Sequence, residues 1–321
     1  MGNDRTTEKV RRKGVLSAIR HQGKVFKKNW QLLLLCLPAL TAYILFQYVP
    51  MAGVVLAFKK YKYNLGIFGS PWAGFNNFKF LFGSPDLWRI TRNTVGYSLL
   101  FIVVGLIVEA GLALLLFEIN NKSVLKFYQT YLQFPRFMSW VVVGFISYAL
   151  FNPSYGVINQ LLSALGADRI DVYSNASLWP AILTFFHQWK GAGTGCILYY
   201  AALMGIDQSL YEAAAIDGAS RWQQTRYISI PSLASVAAIR LILQIGHTFS
   251  GDFGLFYQIP RNIGLLYPTT DIVNTYVFRS LQGGNYTAGA ATGLLQSVLG
   301  LIMVLITNGI VKKISPENAM F

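Results

Sequence analysis

Long apolar runs interrupt this sequence of 321 residues and limit what it can fold into. A helix that crosses the hydrocarbon core of a membrane needs about 20 consecutive, mostly apolar residues. Six segments approach or exceed that length, so the sequence predicts an all-α, polytopic membrane protein with six transmembrane helices. The six predicted spans are residues 32–58, 93–117, 127–151, 178–204, 232–257 and 286–311.

The composition supports this fold class. Hydrophobic residues make up 54% of the chain and charged residues 12%, whereas soluble domains average about 25% charged residues. The net charge of +14 raises the question of a nucleic-acid partner, but nine of the 27 basic residues precede residue 29, just before the first apolar run. That placement is typical of a cytoplasmic membrane flank, so we predict no nucleic-acid binding. Cys36 and Cys196 lie in apolar runs and indicate neither a disulfide framework nor a metal site.

The distribution of Lys and Arg predicts that both termini are cytoplasmic. With the N-terminus inside, fifteen basic residues flank the spans on the inside and nine on the outside. The predicted organisation is a basic cytoplasmic tail (1–30), a first span with an extracellular cap loop (31–92), a core with five spans (93–314) and a short cytoplasmic tail (315–321). The cap loop is basic although it is assigned to the outside, so the bias is imperfect.

A polar stretch, EAAAIDGASRWQQTRYISIP, separates the fourth and fifth predicted spans. We expect Ser209 to cap a helix, with Glu212 three residues later completing a capping box. Gly218 permits a turn, and a second short helix is expected over about 220–227. Pro231 is expected to begin the fifth span, where its missing N–H costs little. The stretch therefore predicts a cytoplasmic helix–turn–helix outside the lipid, at residues 209–231.

The spacing of this stretch resembles the EAA signature of ABC importer permeases, E-A-A-x3-G-x9-I-x-L-P. Ile230 stands where leucine is usual, which is a mild departure. From about residue 30 to 314 the chain also resembles six-span sugar permeases of the maltose-F type, with the ABC type I importer permease fold. Stretches such as YVPMAGVVLAFKKY and GFNNFKFLF place it nearest the branch that serves oligosaccharides and polysaccharide fragments. The matching anchors of the signature are Glu212, Ala213, Ala214, Gly218, Ile228 and Pro231.

The resemblance implies a mechanism and a set of partners in a bacterial cell membrane. Glu212 would make a charged contact in a cleft of a cytoplasmic ATPase, Ala213 and Ala214 would allow close approach, and Gly218 would make the turn. The sequence contains no G-x-x-x-x-G-K-[ST], so ATP and Mg are expected on two partner ATPase subunits, with no cofactor in this chain. A second, homologous permease subunit, an extracellular solute-binding (lipo)protein and a glycan substrate complete the expected system.

Polar and aromatic residues within the predicted spans are candidates for a substrate path. Ionisable side chains are costly in lipid and usually face the bundle interior or a water-filled path. Pairing within the bundle is the alternative, and aromatic residues in spans often simply pack. Glu109 and Arg240 are expected to have structural partners that the sequence does not identify. The candidates for the path are Trp140, Tyr148, His187, Trp189, Lys190, Gln244 and His247.

Other functions remain open at this point. An ABC permease for a non-sugar solute would carry the same signature. A membrane-embedded glycan-processing enzyme would need paired carboxylates, a metal-ligand cluster or a nucleophile–base set, and we predict no catalytic and no metal-binding residues. A secondary transporter would not need the EAA segment. Co-purification with an ATPase separates the ABC permeases from the last two classes.

Overall fold

The computed structural model describes residues 29–314, so most of the predicted basic tail and the whole of 315–321 lie outside the described residues. The chain divides into two units between Val55 and Leu56. The described residues form helices and no β-strand, which confirms the all-α prediction. The α-helices are α1 Trp30–Tyr43, α2 Gly66–Gly69, α3 Asn76–Phe82, α4 Pro85–Phe117, α5 Lys122–Gln133, α6 Trp140–Phe151, α7 Val157–Ala164, α8 Trp179–Met204, α9 Gln208–Ile216, α10 Arg221–Gln224, α11 Ile230–Gly246, α12 Phe253–Gln258, α13 Tyr267–Thr270, α14 Val273–Gln282 and α15 Tyr286–Ile314.

The described residues contain four helical segments that are long and apolar enough to cross a membrane, or five if one bent pair is counted as a span. Helix α8 is 26 residues long but is not among them, since polar side chains such as His187, Gln188 and Lys190 interrupt its apolar run. The count of six spans therefore stays a prediction. The four segments are Trp30–Phe58, Pro85–Phe117, Arg221–Gly246 and Tyr286–Lys313.

The second predicted span begins earlier in the structure than the apolar pattern indicated. Helix α4 starts at Pro85 rather than at residue 93. The Ser84 hydroxyl accepts a hydrogen bond from the Asp86 backbone N–H at 3.2 Å, and proline is well suited to the first helical turn. Capping thus extends the helix into a region that composition assigns to the cap loop.

The third predicted span, 127–151, is broken. Helix α5 continues into a short 3₁₀ turn, Phe134–Phe137, that contains Pro135. The segment Lys122–Phe137 then meets α6 at an angle of 98°. Ser139 then caps α6 by accepting from the Val142 backbone N–H at 3.3 Å. A proline followed by a helix cap explains why one apolar run forms two helices.

The fifth predicted span, 232–257, is wrong at both ends. The helical segment runs from Arg221 to Gly246. It includes a π-helical turn, Thr225–Ser229, before α11. After Gly246 the chain turns and begins the separate short helix α12.

Two buried apolar clusters hold the helices of the second unit together. The first surrounds Trp179, which is fully buried and donates its indole N–H to the Val172 carbonyl at 3.0 Å. The second joins α4, α8 and α11. Its members are Ala113, Leu116, Cys196, Tyr199, Leu203 and Leu233.

A buried carboxylate fixes the beginning of α14 to the beginning of α4. The Asp271 side chain is fully buried and accepts hydrogen bonds from Arg89 at 2.9 Å and from Arg279 at 2.7 Å. Asn93 donates to the Asp271 carbonyl at 2.9 Å, and the Thr94 hydroxyl accepts from the Val273 N–H at 3.1 Å. These bonds hold the chain from α12 to α14 against α4, next to the cavity described below.

Candidate functional site

Helix α9 carries the three residues that begin the EAA signature. Asp207 caps it, with the carboxylate accepting from the Ser209 backbone N–H at 3.0 Å. That hydrogen bond lowers the pKa of the Asp207 carboxyl. The predicted capping box of Ser209 and Glu212 is therefore wrong, because the cap lies two residues earlier.

Gly218 forms the turn that the sequence predicts. Its φ of 80° lies in the left-handed region that favours glycine. The Ala219 N–H donates to the Ala214 carbonyl at 2.8 Å and the Gly218 N–H to the Ala215 carbonyl at 3.1 Å, which closes the end of α9. A Cβ at this position would meet no atom within 4 Å, so backbone conformation, rather than crowding within the described residues, accounts for the glycine.

The second short helix of this stretch is not separate from the next span. Ser220 and Gln223 form a capping box at the start of α10. The chain then continues through the π-helical turn into α11, with Pro231 in its first turn. The Tyr211 and Ser229 hydroxyls lie 2.9 Å apart and tie α9 to the base of α11.

The surface of this stretch is strongly exposed and partly apolar. Glu212, Ala213, Gly218 and Pro231 are exposed, whereas Ala214 and Ile228 are half-buried. Three large apolar side chains near them stand out into solvent: Ile216 (87% exposed), Trp222 (67%) and Tyr227 (70%). Exposed apolar side chains of this size can contact a partner protein or the membrane.

A cavity of about 850 Å³ lies between α4, α8, α11 and the chain that leads into α12. Three of the seven predicted path residues line it: His187, Gln244 and His247. The His187 ring stacks on Phe101, with ring centroids 3.9 Å apart. Among the described residues, His187 Nδ1 and Gln244 Oε1 have no hydrogen-bond partner. Polar atoms without partners beside a cavity can bind a polar solute or water.

The other four predicted path residues do not line this cavity. The Lys190 ammonium donates to the Arg136 carbonyl at 3.2 Å and lies 4.9 Å from the centre of the Trp140 ring. Trp189 packs against the first apolar cluster. Tyr148 packs there too, with the Arg261 guanidinium 4.1 Å above its ring. The structure therefore gives these side chains packing partners, the alternative that the sequence left open.

The sequence did not identify several residues of the cavity wall. Ser98 and Phe101 come from α4, while Ser250 and Phe253 come from the chain after α11. The apolar pattern placed 247–257 inside a span, so this part of the wall was missed. A signal was nevertheless present in the sequence Gly251-Asp252-Phe253-Gly254, because glycines at such spacing interrupt a helix.

Glu109 and Arg240, whose partners the sequence left unidentified, are each other's partner. Arg240 donates a hydrogen bond to the Glu109 carboxylate, and the pair joins α4 to α11. The described residues hold no group of three or more His, Cys, Asp or Glu side chains that could bind a metal ion.

The fold and site define the membrane-spanning subunit of a transporter, with a cavity between helices and an exposed EAA segment. A family profile described as "Binding-protein-dependent transport system inner membrane component" matches residues 102–316. The chain belongs to this family of ABC importer permeases.

Relatives and a solved structure agree with this assignment. Protein LplB of Bacillus subtilis is 36% identical over 91% of this chain and 92% of its own length. The polygalacturonan/rhamnogalacturonan transport system permease protein YteP of the same organism is 36% identical over 89% of each chain. A crystal structure of a bacterial alginate ABC transporter, in complex with an alginate pentasaccharide-bound periplasmic protein, contains a chain 33% identical to this one. It superposes with a TM-score of 0.78 over 91% of this chain and 97% of that chain.

Proposed function

We propose that this chain is one of two membrane-spanning subunits of an ATP-driven, binding-protein-dependent importer of oligosaccharides or polysaccharide fragments. The observation that carries the proposal is the continuity of a single helical segment, Arg221–Gly246. The EAA stretch leads into one end of this segment, and side chains near its other end, such as Gln244, line the cavity. Binding at the exposed stretch can therefore act on the cavity wall through one helix.

The size and lining of the cavity suit a polar solute. Ligand sites are commonly about 300–1,000 Å³, and this cavity of about 850 Å³ lies within that range. Its wall combines aromatic rings with groups that form hydrogen bonds, including Tyr97, Phe101, Gln244 and Asp252. Aromatic faces and side-chain amides are well suited to sugar rings and hydroxyls. A second permease subunit is proposed to complete the cavity wall.

The relatives support a glycan fragment as the substrate. YteP is named for polygalacturonan and rhamnogalacturonan, and the related structure is that of an alginate transporter. We infer that this chain transports fragments of a polysaccharide delivered by an extracellular binding protein. An importer of a non-sugar solute would have the same coupling stretch, and the experiment below includes that outcome.

Two cytoplasmic ATPase subunits are proposed to dock on the EAA stretch and to bind ATP and Mg. The exposed Ile216, Trp222 and Tyr227 provide apolar contact area on the same stretch as Glu212. Docking on this stretch requires it to be cytoplasmic, which places both termini inside in a six-span arrangement. Single cysteines introduced at Asn3 and Asn318 should resist a membrane-impermeant maleimide in intact cells. Labelling of either one would contradict this orientation.

Purification of the tagged chain from its native membrane tests the proposal as a whole. We expect a complex of this chain, a second permease and two ATPases. ATP hydrolysis by the complex should rise when the binding protein is added together with oligogalacturonides or alginate oligosaccharides. A rise with a non-sugar solute alone would retain the importer and change its substrate. A chain that purifies without any ATPase, or that alters the glycan chemically, would overturn the proposal.

A further inference from the structure

The Glu109–Arg240 pair lies inside the helical bundle, within two of the segments that are apolar enough to span a membrane. The Glu109 side chain is 5% exposed and the Arg240 side chain 20%. An unpaired charge is costly in the hydrocarbon core, so each residue strongly favours an arrangement in which the other stays close. The pair therefore links α4 to α11, because separating the two helices would leave two unpaired charges, whereas apolar packing alone carries no such cost.

A third helix surrounds the same carboxylate. The backbone of α8 lies so close to Glu109 that a Cβ at Gly195 would be 2.1 Å from the Glu109 carboxyl carbon. One helical turn away on α4, Gly105 faces the Gln188 side chain of α8, and Gln188 donates to the Phe101 carbonyl at 3.1 Å. Helices α4 and α8 thus pack as a close pair, with Glu109 held between them.

Arg240 lies on the helix that joins the EAA stretch to the cavity. The stretch is tied to this helix by the contact between Tyr211 and Ser229. Eleven residues separate Ser229 from Arg240, or about 16 Å of α-helix. Arg240 and Gln244, one turn further on, both line the cavity. The ion pair is therefore located in the part of this helix, beginning at Val236, that lines the cavity.

We propose that Glu109 and Arg240 are positioning residues that transmit movement of the coupling stretch to the α4–α8 wall of the cavity. If the EAA stretch moves when the ATPases close, α11 moves with it, and the charge pair makes α4 and α8 follow. The inference rests on the proposed function, since it requires an ATPase on the EAA stretch. It adds the route by which that movement reaches the cavity.

The test uses a double variant that leaves no unpaired charge in the membrane, E109Q/R240Q. In proteoliposomes containing the whole complex and its binding protein, we measure glycan uptake and ATP hydrolysis on the same sample. We expect hydrolysis to persist while uptake per ATP falls by about tenfold, within the range typical of coupling between distant sites. The single variants should insert less well, because each leaves one charge unpaired.

Glu118→Gln provides a matched control. Glu118 directly follows α4 and pairs at 4.0 Å with Arg221, the first residue of the other segment, but the Glu118 side chain is 49% exposed. We expect E118Q to leave both hydrolysis and uptake per ATP unchanged, because an exposed pair contributes little.

Two outcomes would overturn the inference. The first is normal uptake per ATP in E109Q/R240Q, which would show that apolar packing alone transmits the movement. The second is a parallel loss of hydrolysis, uptake and assembled complex, which would assign the pair a purely structural role. Absence of ATP-driven uptake in the unmodified complex would instead overturn the proposed function.

Discussion

Gly218 allows a prediction in which backbone conformation can be separated from side-chain size. Its φ of 80° is costly for any residue with a Cβ, by about 1–2 kcal/mol. Because a Cβ there would meet nothing within 4 Å, the cost should not grow with the size of the side chain. We therefore expect G218A and G218L to be about equally harmful, and G218N to be milder because asparagine tolerates the left-handed region.

The expected effect is on docking of the ATPases. A penalty of about 1–2 kcal/mol on the turn reduces the docking-competent fraction about 5- to 30-fold, and the apparent affinity for the ATPase falls by the same factor. The assay titrates purified ATPase subunits against the reconstituted permease and follows glycan-stimulated ATP hydrolysis. Gly205 offers a control, because its φ of −85° suits any residue and a Cβ there would be no closer than 3.4 Å to its neighbours.

The relative behaviour of the variants distinguishes the cost of the backbone conformation at Gly218 from close approach of a partner. We expect G205A to behave as the unmodified chain. If G218A also titrates normally while only G218L fails, close approach of a partner, and not the sign of φ, is the reason for the glycine. If all the variants titrate normally, the turn does not contribute to docking.

Three further predictions concern single side chains. Glu212→Ala should weaken ATPase binding without loss of inserted permease, because Glu212 is exposed and lies outside the spans. Pull-down with tagged ATPase measures the binding, and unchanged binding would contradict the prediction. His187→Ala should lower uptake at a normal protein level, because His187 lines the cavity. Lys190→Ala should instead lower the amount of folded protein, because the Lys190 ammonium donates a hydrogen bond to the Arg136 carbonyl. Quantitative immunoblots run beside uptake assays distinguish the two outcomes. Asp271→Asn should destabilise the fold by about 3–5 kcal/mol, since it removes the buried charged partner of two arginines. Thermal unfolding in detergent measures this. The unfolding temperature should shift far less for Asp86→Asn, because the Asp86 side chain is 37% exposed.

The apolar runs predicted the helical class and the positions of the first and last spans, because lipid demands length and hydrophobicity together. The pattern was less accurate wherever a local signal competes with hydrophobicity. Pro135 interrupts one apolar run, which forms two helices. Ser84 caps another helix, α4, so that this helix begins before its apolar run does. Residues 247–257 are apolar enough to resemble a span, yet the chain turns at Gly251, whose φ is 46°.

The coupling stretch could be read from sequence more fully than the substrate path. The turn at Gly218 depends on neighbours within a few residues, so spacing is sufficient to predict it. The cavity depends on which helices meet. His187 and Lys190 are three residues apart on α8, yet only His187 lines the cavity, while Lys190 lies beside Trp140. Likewise, 131 residues separate Glu109 from Arg240, and no periodicity in one sequence joins residues so far apart.

This chain is proposed to form part of an ATP-driven path for glycan fragments. The most direct test is uptake of a labelled oligosaccharide into proteoliposomes that contain this chain, its partner permease and the two ATPases. Binding protein is added outside and ATP is enclosed. We predict accumulation of intact oligosaccharide that requires both ATP and the binding protein and that is lost when this chain is omitted. Accumulation without ATP, or recovery of a cleaved or modified glycan, would contradict it.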